Sequence, residues 1–156
     1  MKPRVIAVVC LVVLFLASCG ADKYMKRGER ELALGEYFDA AADFKLAYQK
    51  TPPKERQARG AIARRMALCY DKSLQTGKAT VAYRNAIRYK ADRGDDHLAL
   101  ARLLMKSGNY KEAAVEFEIA IDSLPGNSMA TAGLEAARRA PEIRQGGSRY
   151  TVKRLD

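Results

Sequence analysis

The stretch Gly35-Glu36-Tyr37-Phe38-Asp39-Ala40-Ala41-Ala42-Asp43-Phe44-Lys45-Leu46-Ala47 reads as a glycine turn followed by a helix. It recurs as Gly108-Asn109-Tyr110-Lys111-Glu112-Ala113-Ala114-Val115-Glu116-Phe117-Glu118-Ile119-Ala120. In each copy an alanine stands five residues after the glycine, an aromatic four further on and an alanine three beyond that. Steps of three and four put all three on one helix face. A weaker copy lies between, with Ala79, Tyr83 and Ala86 at the same intervals. Ala79 to Ala113 and Tyr83 to Phe117 are both 34 residues, whereas the first copy precedes the middle one by 39. Five extra residues therefore lie between them, around Pro53 to Arg59, as a longer loop or an extended start to the next helix.

A 34-residue period with a small-aromatic-small second helix resembles the tetratricopeptide repeat. It implies an all-α fold, a TPR-type α-solenoid of three helix-turn-helix repeats (about 21–54, 60–93 and 94–127) closed by a C-terminal capping helix (128–140). The first helix is expected from about Asp22 to Leu34, with Tyr24 and Gly28 at the large and small packing positions. Arg27 and Glu31 depart from the usual leucine and tyrosine, as a terminal repeat with one unpartnered side can. Thr51-Pro52-Pro53 stops the second helix, because proline lacks the amide and constrains the residue before it. The next helix is expected from Lys54 to Leu74, with Ala63, Met66, Ala67 and Tyr70 inward. Gln75-Thr76-Gly77 then turns the chain into a helix from Lys78 to Tyr89. Gly94-Asp95-Asp96 caps the third repeat, whose first helix buries His97, Leu100, Ala101 and Leu104. Its second helix ends at Leu124-Pro125-Gly126. Asn127 or Ser128 caps the last helix, with Met129, Ala132, Leu134 and Ala136 as its apolar side and Pro141 as its stop. The tail 141–156 holds a linker-like Gln145-Gly146-Gly147-Ser148 and a strand-like Tyr150 to Leu155, the start of a following domain or a free tail.

The amino terminus reads as an address. Lys2 and Arg4 precede an unbroken apolar run of 13 residues from Val5 to Ala17. That is short for a hydrocarbon core of about 30 Å and suits a signal peptide. Leu16-Ala17-Ser18-Cys19-Gly20 resembles the bacterial lipobox. The resemblance implies a lipoprotein signal peptide over 1–18, cleavage before Cys19, and acylation (palmitate and its like) of that residue. No aspartate stands directly after Cys19, which by the same resemblance favours the outer membrane, facing the periplasm. Once Cys10 leaves with the leader and Cys19 is acylated, Cys69 has no partner for a disulfide within one chain, and reads as a small buried thiol.

The formal charge of +10 over 156 residues admits a polyanionic partner. Basic and acidic residues are interspersed, however, and only Lys50 to Arg65 is densely basic, so most of the charge reads as solvated helix faces. No nucleic-acid partner is expected. No catalytic constellation is visible: the single histidine, His97, occupies a packing position. The isolated cysteines do not form a metal-ligand cluster, and neither a cofactor nor a small-molecule substrate is implied. An enzyme is not expected. What such a fold offers is a surface lined by the first helix of each pair. Residues four apart project from it together, giving Met25 and Glu29, then Arg64, Leu68 and Lys72, then Leu98, Arg102 and Lys106. Apolar side chains with four cations suit an acidic peptide.

Anchor, repeats and basic tail together resemble the amino-terminal part of OmpA-like envelope lipoproteins of the PorE type, found in type IX secretion. That resemblance implies an outer-membrane-anchored periplasmic adaptor, a non-catalytic scaffold for protein–protein interaction in an envelope complex. Two other readings stand beside it. One is an accessory lipoprotein of outer-membrane-protein assembly or pilus biogenesis; the other is an anionic-lipid or polyanion binder working through Lys50 to Arg65.

Overall fold

A computed structural model of the chain describes residues 20–147, with side chains from 20 to 140. The expected signal peptide, Cys19 and the strand-like 150–155 lie outside the described residues. Every regular element is helical among them. Helix α1 spans 20–34, α2 Tyr37–Lys50, α3 Arg56–Lys72, α4 Thr76–Arg88, α5 Gly94–Lys106, α6 Tyr110–Ser123 and α7 Ser128–Gly147. The chain divides into two compact units, the first ending at Asp92 and the second beginning at Arg93. None of the described helices is long and apolar enough to cross a membrane.

In the first unit the core is built on the repeat positions. Ala40, Phe44 and Ala47 of α2 and Ala79, Tyr83 and Ala86 of α4 are buried. Ala63, Ala67 and Cys69 of α3 join them, while Met66 and Tyr70 pack at the margin. Gly28 earns its place by close approach. A Cβ there would lie 2.9 to 3.1 Å from three atoms of the Phe44 ring, so only hydrogen lets α1 settle on that aromatic. Gly60, which the repeat pattern does not single out, does the same for α3 and the end of α4: a Cβ would sit 2.5 Å from that of Ala91.

Arg27 and Glu31, the two departures in the first helix, prove to be connected. Arg27 donates through Nε and an Nη to both carboxylate oxygens of Asp43, which is 2% exposed on α2, and lies 3.7 Å from Glu31. Desolvation, then the Asp43 charge, holds the Glu31 carboxyl above its ordinary value of 4.5. Here a polar triad does the packing that leucine and tyrosine do in the repeat pattern.

The turn between paired helices is the same in all three repeats. Gly35, Leu74 and Gly108 have φ of +80°, +60° and +76°. Each donates its N–H to the carbonyl three back, and the next residue donates to the carbonyl five back. These are the paired bonds of a Schellman ending, which needs one left-handed residue. The second turn is therefore Ser73-Leu74-Gln75, not Gln75-Thr76-Gly77. Gly77 lies inside α4, and leucine occupies the left-handed position. Both neighbouring helices shift accordingly, α3 ending at Lys72 and α4 beginning at Thr76.

The five-residue insertion divides between a loop, 51–55, and a longer helix. Helix α3 has 17 residues where its counterpart α5 has 13.

In the second unit Leu100, Ala101 and Leu104 of α5 pack with Ala113, Phe117 and Ala120 of α6. His97 is buried as expected, with Nδ1 2.7 Å from Glu116 Oε2. Asp96 accepts a bond from the Arg93 amide at 2.8 Å, tying down the residue before the helix. Asn127 caps α7, its Oδ1 accepting from the Ala130 amide at 3.1 Å. The inward side of α7 differs from the expected one by one position. Ala130 and Ala137 are buried and Gly133 meets Phe117, whereas Met129, Ala132 and Ala136 are exposed. The reason is the Phe117 ring. A Cβ at residue 133 would lie 2.3 Å from it, so the helix turns its glycine, not its methionine, toward the aromatic. Helix α7 also continues through Pro141 to Gly147 instead of stopping at Ala140. Proline removes one amide donor and crowds the carbonyl four residues back, but the amides of later residues remain available to propagate the helix.

Candidate functional site

Helix α1 and the start of α3 enclose a cleft of about 360 Å³ in the first unit, bounded by the 51–52 loop. Its walls are mostly small or aliphatic: Ala21, Met25, Ala58, Ala61 and Ile62, with Asp22, Glu55 and Arg65 among them. Small residues on facing helices leave this space because neither side chain reaches across it. Beside it Glu29 pairs with Arg65 Nε, linking α1 to α3. A second cleft, of about 590 Å³, opens between α2, α3 and α4. Met66, Tyr70, Val81 and Ala82 form its apolar part, with Lys45 and Lys78 alongside. The Lys78 ammonium stands 5.6 Å from the centre of the Tyr70 ring.

The residues expected to line a peptide surface separate into three kinds. Met25 is half-buried and packs against the core formed by α2 and α3, so it serves the fold as well as the cleft. Glu29 and Arg64 are half-buried, and the Glu29 carboxylate is engaged by Arg65. Leu68 is 38% exposed and Lys72 is exposed, one turn apart on α3. On α5, Leu98 is only 6% exposed and belongs to the core of the second unit. Arg102 and Lys106 are exposed there, again one turn apart. The chemistry of the exposed rows is therefore cationic, with one leucine. Among the described residues no group of three histidine, cysteine or carboxylate side chains could hold a metal.

The solved structures bear on the architecture. The crystal structure of the Sgt2 TPR domain from Aspergillus fumigatus superposes with a TM-score of 0.64 over 87% of this chain and 88% of that one. The fold is that of a tetratricopeptide-repeat domain. Sequence identity to the Sgt2 domain is 22%, so the likeness concerns fold alone. No protein-family profile matches the chain, and no curated protein does.

One cluster lies outside the repeat pattern because it is built from the insertion. Arg59, in the extra turn of α3, stacks its guanidinium 4.0 Å from the centre of the Tyr48 ring and donates to the Thr51 carbonyl at 3.0 Å. The hydroxyls of Tyr48 and Tyr89 lie 3.4 Å apart. Arg56 and Arg88 each stand 5.7 Å from the Tyr89 ring centre. The bond from Tyr48, then the charges of Arg59 and Arg88, pull the Tyr89 hydroxyl below its ordinary value. The signal in the sequence was the insertion itself, with Arg56 and Arg59 where the repeat has no residues to compare.

Cys69 is fully buried, and desolvation pushes its thiol up to about 11. A thiol so placed packs and does not react.

Proposed function

We propose that this chain is a non-catalytic adaptor of the cell envelope, held to the periplasmic face of the outer membrane by acylated Cys19 and docking other envelope proteins on its first-helix faces. The observation that carries the docking reading is the pair of exposed rows Leu68–Lys72 on α3 and Arg102–Lys106 on α5. Within a tetratricopeptide fold these offer cations at one-turn spacing to acidic segments of a partner. Lys72, Arg102 and Lys106 make no ion pair with another described residue, so their charge is available. The sequence from Lys2 to Gly20, with its charged start, apolar run and small-small-cysteine ending, supports the anchor. Several acyl chains at about 0.8 kcal/mol per buried CH₂ hold a protein on a bilayer durably. The resemblance to PorE-type lipoproteins supports a place in a type IX secretion complex.

Two measurements test this reading. Intact-mass analysis of the chain purified from membranes should find a mature protein beginning at acylated Cys19; an unmodified Cys19 removes the anchor. Cross-linked envelopes should yield protein partners that are lost when Lys72, Arg102 and Lys106 are all changed to glutamate. Undiminished recovery by that variant would remove these rows as the docking surface.

A further inference from the structure

One end of the first unit gathers the start of α1, the end of α2, the start of α3 and the end of α4. Lys50 at the end of α2 reaches the start of α1, its Cδ 3.4 Å from where a Cβ on Gly20 would stand and its ammonium 5.9 Å from the Tyr24 ring centre. The loop after α2, with Thr51 and Pro52, faces Ala21 and Asp22 across the smaller cleft. The Arg59–Tyr48–Tyr89 stack then ties α3 and α2 to the end of α4. Exposed at this end are Lys23, Lys50 and Lys54, and with them Arg56, Arg88 and Lys90. None of the six is ion-paired with a described carboxylate, although Asp22 and Glu55 are exposed nearby and Asp92 is half-buried. Elsewhere in the unit Arg27 and Arg65 hold carboxylates.

We infer that this end of the first unit is a membrane-contact surface, whose lysines and arginines sit against the phosphates of anionic lipid headgroups and fix the orientation of that unit on the bilayer. The inference deepens the proposed anchoring and rests on it for one step. Cys19 is the covalent neighbour of Gly20, so acyl chains on it would enter the bilayer about 3.8 Å along the backbone from the first described residue of α1. Whatever end of the unit carries that residue then lies at the headgroup layer. That end bears six exposed cations against two exposed carboxylates, together with the aromatic rings of Tyr24, Tyr48 and Tyr89, side chains suited to a wet–dry boundary. The charge also answers why the insertion adds a turn to α3: the added residues Arg56 and Arg59 face this end, away from the inward repeat positions.

The test uses the full-length lipoprotein, purified from membranes and reconstituted into vesicles of phosphatidylcholine alone or with phosphatidylglycerol. Amide hydrogen exchange is followed in peptides covering 54–60 and 86–92. Slower exchange in the anionic vesicles only, reversed in 1 M salt where the screening length falls to about 3 Å, is the expected result. Each cation near an anionic surface raises affinity roughly fivefold. Changing Arg56, Arg88 and Lys90 to glutamate should therefore weaken docking at least a hundredfold and abolish the protection. Glutamine at the same three positions, with helicity checked by circular dichroism, should give an intermediate loss. Equal exchange in both vesicle types overturns the inference. So does equal protection by a soluble polyanion such as heparin, which would make the end a polyanion site and not a lipid surface. The mass of residue 19 separates the two readings. Acylated Cys19 without protection sinks the surface and leaves the anchor, whereas protection with unmodified Cys19 supports the surface and sinks the anchor.

Discussion

Leu74 occupies a backbone conformation that its two counterparts meet with glycine, and replacing it should stabilise the protein. For an L-residue the left-handed region costs about 1–2 kcal/mol, because Cβ crowds the following carbonyl oxygen. Glycine at 74 removes that strain. It also gives the unfolded chain more freedom, which takes back about 0.5–1 kcal/mol. Loss of the leucine side chain adds little, since it is 81% exposed. The balance is a gain of about 0.5–1 kcal/mol for Leu74→Gly, or a rise in Tm of about 2 °C for a chain of this size. Leu74→Ala is the control. It removes most of the side chain but keeps the Cβ that causes the strain, and should change stability by no more than a few tenths of a kcal/mol. Urea titration at 25 °C followed by helical circular dichroism measures both. The expected order of midpoints is glycine above alanine and wild type, with the last two close. If Leu74→Gly is no more stable than Leu74→Ala, backbone strain at this turn is not a destabilising feature and the reasoning fails.

Other consequences follow from particular contacts. Gly133→Ala would put a methyl 2.3 Å from the Phe117 ring; by the usual penalty for overpacking it should cost about 1–3 kcal/mol, seen as an earlier urea midpoint. The Cys69 thiol, held at about 11 by burial, should resist Ellman's reagent at pH 8 in the folded chain and react rapidly in denaturant. Because that folded value lies above the unfolded one, the stability it contributes is complete below pH 9 and should decline as pH rises through 11, which a Cys69→Ala variant would not show. Glu31 is likewise held above its ordinary value, so the fold favours its protonated form and the carboxylate is a burden at neutral pH. Glu31→Gln should raise the urea midpoint at pH 7, and the gain should shrink toward pH 4.

The repeat period made the fold legible because every residue that counts in it is buried for the same reason. Ala40, Ala79 and Ala113 are all fully covered, since only a small side chain lets the paired helices approach, and Phe44, Tyr83 and Phe117 fill the space beside them. What the period could not convey was anything that works by substitution. At the second turn a leucine adopts the conformation that glycine signals elsewhere, so a pattern keyed to glycine places the turn three residues late, at Gly77. In the first helix Arg27 and Glu31 read as mere irregularity, because the Asp43 that explains them lies 16 residues from Arg27 on another helix. The last helix misled by hydropathy: Met129 is the more apolar residue, yet the glycine faces inward. The candidate surface was half legible. Helical spacing gave the exposed rows on α3 and α5, but it cannot tell a groove position from a core position when both are leucine, and Leu98 turned out to be core.

The chain is helical from the first described residue, Gly20, and this has a mechanical consequence for the proposed anchor. Lipoproteins hung from long flexible segments can sweep a volume that grows with the length of the cord. Were Cys19 acylated as proposed, the described helix would follow the grip by one residue and leave little cord between them. The first unit would then be held close to the bilayer, able to tilt but not to roam.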